Sequence, residues 1–184
     1  MSHRLASVLL SLVLAAACGG DDDDDAVDAA PSATCERGTL EQDNEPQAPL
    51  AGPGVDPETG ELRAPPEGGY HMSTTYLQIK PDAQELFFEL VGPIGQQLAT
   101  QPGLVAVQLT SSVECGSART LGVWESEEAM FEFSLGDAHQ AAVGRIDEVS
   151  RGASAFATWT AASLDETTWA EAAGRLAEVE GPLY

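Results

Sequence analysis

The stretch TLGVWESEEAMFEFSLGDAHQAAV, residues 120–143, decides how the chain is read. Its opening alternates: Leu121 and Val123 face one way, Gly122 and Trp124 the other, as in a strand. Ser126 or Glu125 can start a helix, with Glu127 and Glu128 in its electropositive first turn. Met130, Phe133 and Ser134 share one face of that helix, and Gly136 interrupts it. Asp137 is expected to cap a second helix, with Gln140 three residues later completing a capping box. His139 lies one turn before Val143, so the helical period aims it near the apolar face. One imidazole and one indole are thus expected beside the same core.

Outward from this stretch the pattern repeats in simpler form. Residues 73–80 alternate Thr75, Leu77 and Ile79 against Thr74, Tyr76 and Gln78, a half-buried strand. Pro81 and Asp82 open a helix whose apolar stripe is Leu86, Phe87, Leu90, Val91 and Ile94. Gly92-Pro93 is expected to kink or break it. Pro102-Gly103 is a turn. Residues 104–112 alternate Val105, Val107 and Leu109, a second strand, and residues 119–124 form the third. Residues 153–162 alternate Ala155, Ala157 and Trp159 with Phe156 and Thr158, a fourth. The order β-α-β-β-α-β defines an α+β, ferredoxin-like domain over residues 70–162, an antiparallel sheet with helices on one face. Thr168-Trp169-Ala170-Glu171 reads as another capping box, opening an added C-terminal helix within 163–184.

The N-terminal part has a different composition. Residues 5–17 are an apolar run, too short to span a bilayer as a helix, that ends in Ala15-Ala16-Ala17 directly before Cys18. This resembles a bacterial lipoprotein signal peptide, which implies cleavage after residue 17, lipidation of Cys18 and an exported, lipid-anchored protein of the cell envelope. Ordinary signal-peptidase cleavage after the alanines is the alternative. Residues 18–69 read as an acidic, Pro/Gly-rich tether, with five consecutive aspartates at 21–25. Those aspartates lack the spacing and central glycine of a calcium loop.

The chain has 184 residues and a formal charge of −22; removing 1–17 takes Arg4 with it and leaves −23. Such a charge excludes a phosphate-tracking surface, so no nucleic-acid partner is expected. It also opposes adsorption to anionic lipid, so membrane attachment is expected only through acyl chains. Three cysteines are present. Lipidation of Cys18 would leave Cys35 and Cys115 for one disulfide in an oxidising compartment, two free thiols being the alternative. His71 and His139 have no metal-ligand partner at helical spacing, so no metal site is expected.

The strand ending in V-W-E-S-E-E-A-M, the following G-D-A-H-Q-A-A, Pro102-Gly103-Leu104 and Phe156-x-x-Trp159 together resemble the antibiotic biosynthesis monooxygenase-like dimeric α+β barrels. The resemblance implies a homodimer with two sheets packed face to face, and a pocket between each sheet and its helices. That family includes cofactor-free oxygenases, haem degraders, isomerases and proteins without known activity. The haem-degrading branch uses an Asn, a Trp and a His; here those positions are Thr75 or Gln78, Phe133 and Val143. Haem is therefore not expected, nor any other cofactor. His139 matches a histidine common in monooxygenase-like members.

Two functions follow from this reading. One is a cofactor-independent oxygenase acting on a small aromatic or polyketide-like compound. His139 would be its catalytic base, and Trp124, Tyr76, Gln78 and Phe133 would line the pocket. The other is a non-catalytic dimeric module, structural or binding a small hydrophobic ligand, in which Trp124 and His139 are packing residues.

Overall fold

In the computed structural model, which describes residues 35–181, the chain forms strands β1 (Glu45–Pro46), β2 (Tyr70–Gln78), β3 (Leu104–Ser112), β4 (Ser117–Trp124) and β5 (Ala155–Ala161). All pairs are antiparallel, in the order β1-β3-β4-β2-β5. Helices α1 (Gln84–Leu98), α2 (Glu127–Ser134), α3 (Asp137–Val143) and α4 (Ile146–Val149) join β2 to β3 and β4 to β5; α5 (Trp169–Ala177) follows β5. Without β1, this is the ferredoxin-like order that the four alternating stretches predict.

Period-two alternation sorts the sheet into two faces. Ile79, Phe87, Ala118 and Val149 form a core under α1 and α4, with Leu77, Leu86, Leu90 and Leu109 packed against it. On the other face Met72, Leu121, Val123 and Trp159 form a core with Ala172 of α5. Helix α1 continues through Pro93, so the break expected at Gly92-Pro93 does not occur. Pro93, Gly92 and Glu89 are all exposed, so the Glu89 carbonyl that loses its donor can turn to water. Ser126 caps α2 by accepting from the Ala129 N–H. The box expected at Asp137 does not form: Gly136 occupies the cap position, and Gln140 donates instead to the Ser134 carbonyl at 2.7 Å. At α5, Thr168 accepts from Glu171 N–H, but the Glu171 carboxylate goes to Arg175 rather than back to the cap.

A tether over 18–69 does not describe residues 35–69, which pack on the domain. Gln47, Ala51 and Gly54 donate backbone N–H groups to the Leu109, Val107 and Val105 carbonyls along the β3 edge. Leu50, Val55 and Leu62 pack against the Met72 core. Cys35 and Cys115 form a disulfide with Cα atoms 5.3 Å apart. Arg119 and Glu41 are buried and paired, Nε to Oε2 at 2.7 Å, and the other guanidinium donors go to the Arg37, Glu36 and Thr39 carbonyls. Ser117 Oγ donates to Glu41 Oε1, so both charges have the partners a buried ion pair requires.

This segment and α5 together cover the sheet face opposite α1–α4. Tyr76 and Gln78 donate to the Cys35 carbonyl, and Leu176 packs on Tyr76 and Ala155. Sheet-to-sheet pairing of two protomers needs that face; here the chain's own residues fill it. Among the described residues no helix is long and apolar enough to cross a membrane. Residues 5–17, the expected signal peptide, and Cys18 lie outside the described residues.

Candidate functional site

Trp124 ends β4 on the face toward α2 and α3, as its alternation with Val123 requires. It is buried, and its Nε1–H donates to Ser73 Oγ at 2.8 Å. The ring of Phe133, on α2, lies 5.2 Å from the Trp124 ring; His139, on α3, meets Phe133 edge-on at 5.1 Å. The Gly136 break is what lets α3 fold back and present His139 to the stack. A Cβ at Gly136 would lie 1.9 Å from Gln97 Nε2, whose amide donates to the Phe133 carbonyl across the same turn.

His139 Nδ1 lies 3.0 Å from the Ser134 carbonyl oxygen. A carbonyl can only accept, so Nδ1 carries the proton in this bond and Nε2 is the free lone pair of the neutral ring. Burial pushes the imidazole below its ordinary value; the Ser134 bond, at the electronegative end of α2, only partly offsets this. Two buried polar atoms beside the stack, His71 Nε2 and Gln97 Oε1, have no hydrogen-bond partner among the described residues.

The structure thus brings Trp124, Phe133 and His139 together, but not Tyr76 and Gln78. Those two sit on the opposite face of the sheet, bonded to each other and to the Cys35 carbonyl. Tyr76 lies under the Arg119 guanidinium at 4.4 Å, and burial raises its phenol above the usual value. Alternation placed Tyr76 and Gln78 together; it did not say which face the helices cover. Gln97 carries no motif, and only the close packing at Gly136 reveals it.

Two cavities open at the other end of β4, between the start of α1 and the β3–β4 turn, with volumes of 170 and 300 Å³. Neither is lined by Trp124, Phe133, His139, Tyr76 or Gln78. Among the described residues no three His, Cys, Asp or Glu side chains gather as metal ligands.

The four long strands and the helices on one face define a ferredoxin-like α+β domain. Residues 71–145 match the family model for antibiotic biosynthesis monooxygenases. The fold resembles that of a candidate monooxygenase from Fusobacterium nucleatum at 11% identity and a TM-score of 0.50, covering 65% of this chain and 50% of that one. This chain therefore spans about half of that protein. It is also similar to a candidate antibiotic biosynthesis monooxygenase from Caulobacter crescentus (23% identity, TM-score 0.47, 51% and 91% covered). Rv0793 from Mycobacterium tuberculosis is similar at 14% identity and a TM-score of 0.47, with 50% and 94% covered. No curated protein matches the chain.

Proposed function

We propose that this is an exported, lipid-anchored envelope protein whose monooxygenase-type domain serves as a non-catalytic module. The observation that carries this reading is the Trp124–Phe133–His139 stack. Ring centroids 5.1–5.2 Å apart are in direct contact, so no ligand fits between Trp124, Phe133 and His139. Trp124 Nε1 and His139 Nδ1 already have partners within the chain. Fold alone does not supply a reaction. The leader sequence and the Cys18 position support the anchor, and Cys18→Ser should release the protein from membranes.

A second reading, the cofactor-independent oxygenase, draws on the neutral His139 with its free Nε2 and on the unpartnered His71 Nε2 and Gln97 Oε1. In that case Nε2 would take the proton of an acidic phenol or enol. The two readings separate on purified protein given a panel of phenols and anthrones under air. The module reading expects oxygen uptake equal to buffer, and His139→Ala expects a lowered melting temperature with no change in uptake. Uptake by the unaltered protein that disappears in His139→Ala, with melting unchanged, would establish the oxygenase instead. The sheet-face coverage by 35–69 and α5 supports a monomer, or self-association through another surface, over sheet-to-sheet pairing.

A further inference from the structure

We propose that the cleft between the start of α1 and the β3–β4 turn binds a small aromatic carboxylate, its ring in the inner cavity and its carboxylate on Arg151. The inner cavity has a volume of 170 Å³, walled by Ile79, Phe87, Phe88, Leu109 and Ala118. An apolar cavity of about 150 Å³ is enough to hold a benzene ring. The polar side chains at its rim are largely satisfied within the chain. Gln47 donates to Ser111 Oγ, Ser112 donates to Asp43, and Ser117 donates to Glu41. The interior therefore asks for an apolar guest rather than a polar one. At the mouth Phe88 is 52% and Val113 90% exposed, so apolar surface is presented to solvent where a ring would enter.

The outer cavity of 300 Å³ shares Ile79, Gln84, Val113 and Gly116 with the inner one and adds Arg151. The two are successive parts of one cleft, apolar inside and cationic outside. Arg151 Nη2 donates to the Cys115 carbonyl at 2.5 Å and lies 3.5 Å from the position of a Cβ on Gly116. Its backbone N–H is held by the Gln78 carbonyl. The guanidinium is thus tied to the β3–β4 turn on the wall of the outer cavity. Arg119, Arg145 and Arg175 each face a glutamate, whereas among the described residues no carboxylate pairs with Arg151. Its remaining N–H donors are left for a carboxylate. Gln84 also borders both cavities. Glu114 lies on the outer wall and repels an anion, which directs the carboxylate toward Arg151. The chain's net charge of −22 repels anions at long range, but salt screens that beyond about 8 Å, so the local guanidinium decides.

This inference does not depend on the role of His139, which lines neither cavity. The probe pair is 2-naphthoate and its neutral analogue 2-naphthamide, titrated calorimetrically into the full-length protein. The unaltered protein should bind 2-naphthoate at least tenfold more tightly than 2-naphthamide. Arg151→Gln should abolish that preference and leave 2-naphthamide affinity unchanged, while Arg151→Lys keeps part of it. Phe88→Ala, at an exposed position, should weaken both probes. Each variant is checked for an unchanged melting temperature; should Arg151→Gln melt early, the Arg151→Lys comparison decides. No binding of 2-naphthoate at millimolar concentration, or equal binding of both probes to the unaltered protein, would overturn the proposal.

Discussion

The Ser134 carbonyl accepts from two side chains, His139 Nδ1 and Gln140 Nε2, and that sharing holds the imidazole in one tautomer against Phe133. Its pH consequence has a definite sign. Burial lowers the folded-state value of His139 below the unfolded value near 6.5. Between these two values the unfolded chain binds a proton that the folded chain does not. Stability from this group is therefore complete above about pH 6.5 and is lost as the pH falls toward the native value. Urea unfolding at pH 7.5 and 5.5 should show a smaller loss for His139→Gln than for the unaltered protein. Equal losses would mean that the ring is as well solvated folded as unfolded. The buried Glu41–Arg119 pair obeys a different logic. Its charges are stabilised by complete hydrogen bonding, so removing either partner strands the other.

At the scale of elements, the disulfide ties the start of the 35–69 segment to the β3–β4 turn across 80 residues. Constraining a loop of that length in the unfolded chain is worth about 4.5 kcal/mol in the chain-entropy account. The Cys35→Ser/Cys115→Ser double variant should lose roughly 2–4 kcal/mol by denaturant titration, with α1–α4 intact by circular dichroism. A loss under about 0.5 kcal/mol would mean that the native contacts of 35–69 already hold the segment without the bridge. The four long strands, α1, α2 and the α3 break at Gly136 were legible, because their alternation and turn residues act locally. Residues 35–69 were not. Leu50, Val55 and Leu62 come singly among prolines and glycines, and what seats them is backbone bonding to the β3 edge, which leaves no side-chain pattern. Glu41 and Arg119 likewise show no signal, being 78 residues apart. Within the candidate site, Trp124, Phe133 and His139 followed from period and break. Tyr76 and Gln78 failed because a strand's period sorts residues into two faces without naming which face the helices take.

For the whole molecule the decisive quantity is how much sheet remains free. One face is under α1–α4. The other carries a core of Tyr70, Met72, Leu121, Val123 and Trp159 that α5 and the 35–69 segment close from within the same chain. Gly38 and Gly54 show how close this cover is: a Cβ on Gly38 would lie 2.6 Å from the Ala177 Cβ, and one on Gly54 2.2 Å from the Val105 Cγ1. The cover itself is joined, since Arg37 donates to the Val179 and Gly181 carbonyls beyond α5. A second protomer can reach the sheet only by displacing both pieces, at the cost of the Glu41–Arg119 pair and the apolar contacts of Ala172 and Leu176. Protein bearing Cys18→Ser should therefore sediment as a monomer under oxidising conditions. Gly38→Val and Gly54→Leu should each loosen the cover, lower the melting temperature and expose apolar sheet to a hydrophobic dye. A stable dimer of the oxidised, unaltered domain, with sheet residues such as Met72 and Val123 crosslinking between protomers, would show that the cover yields to a partner.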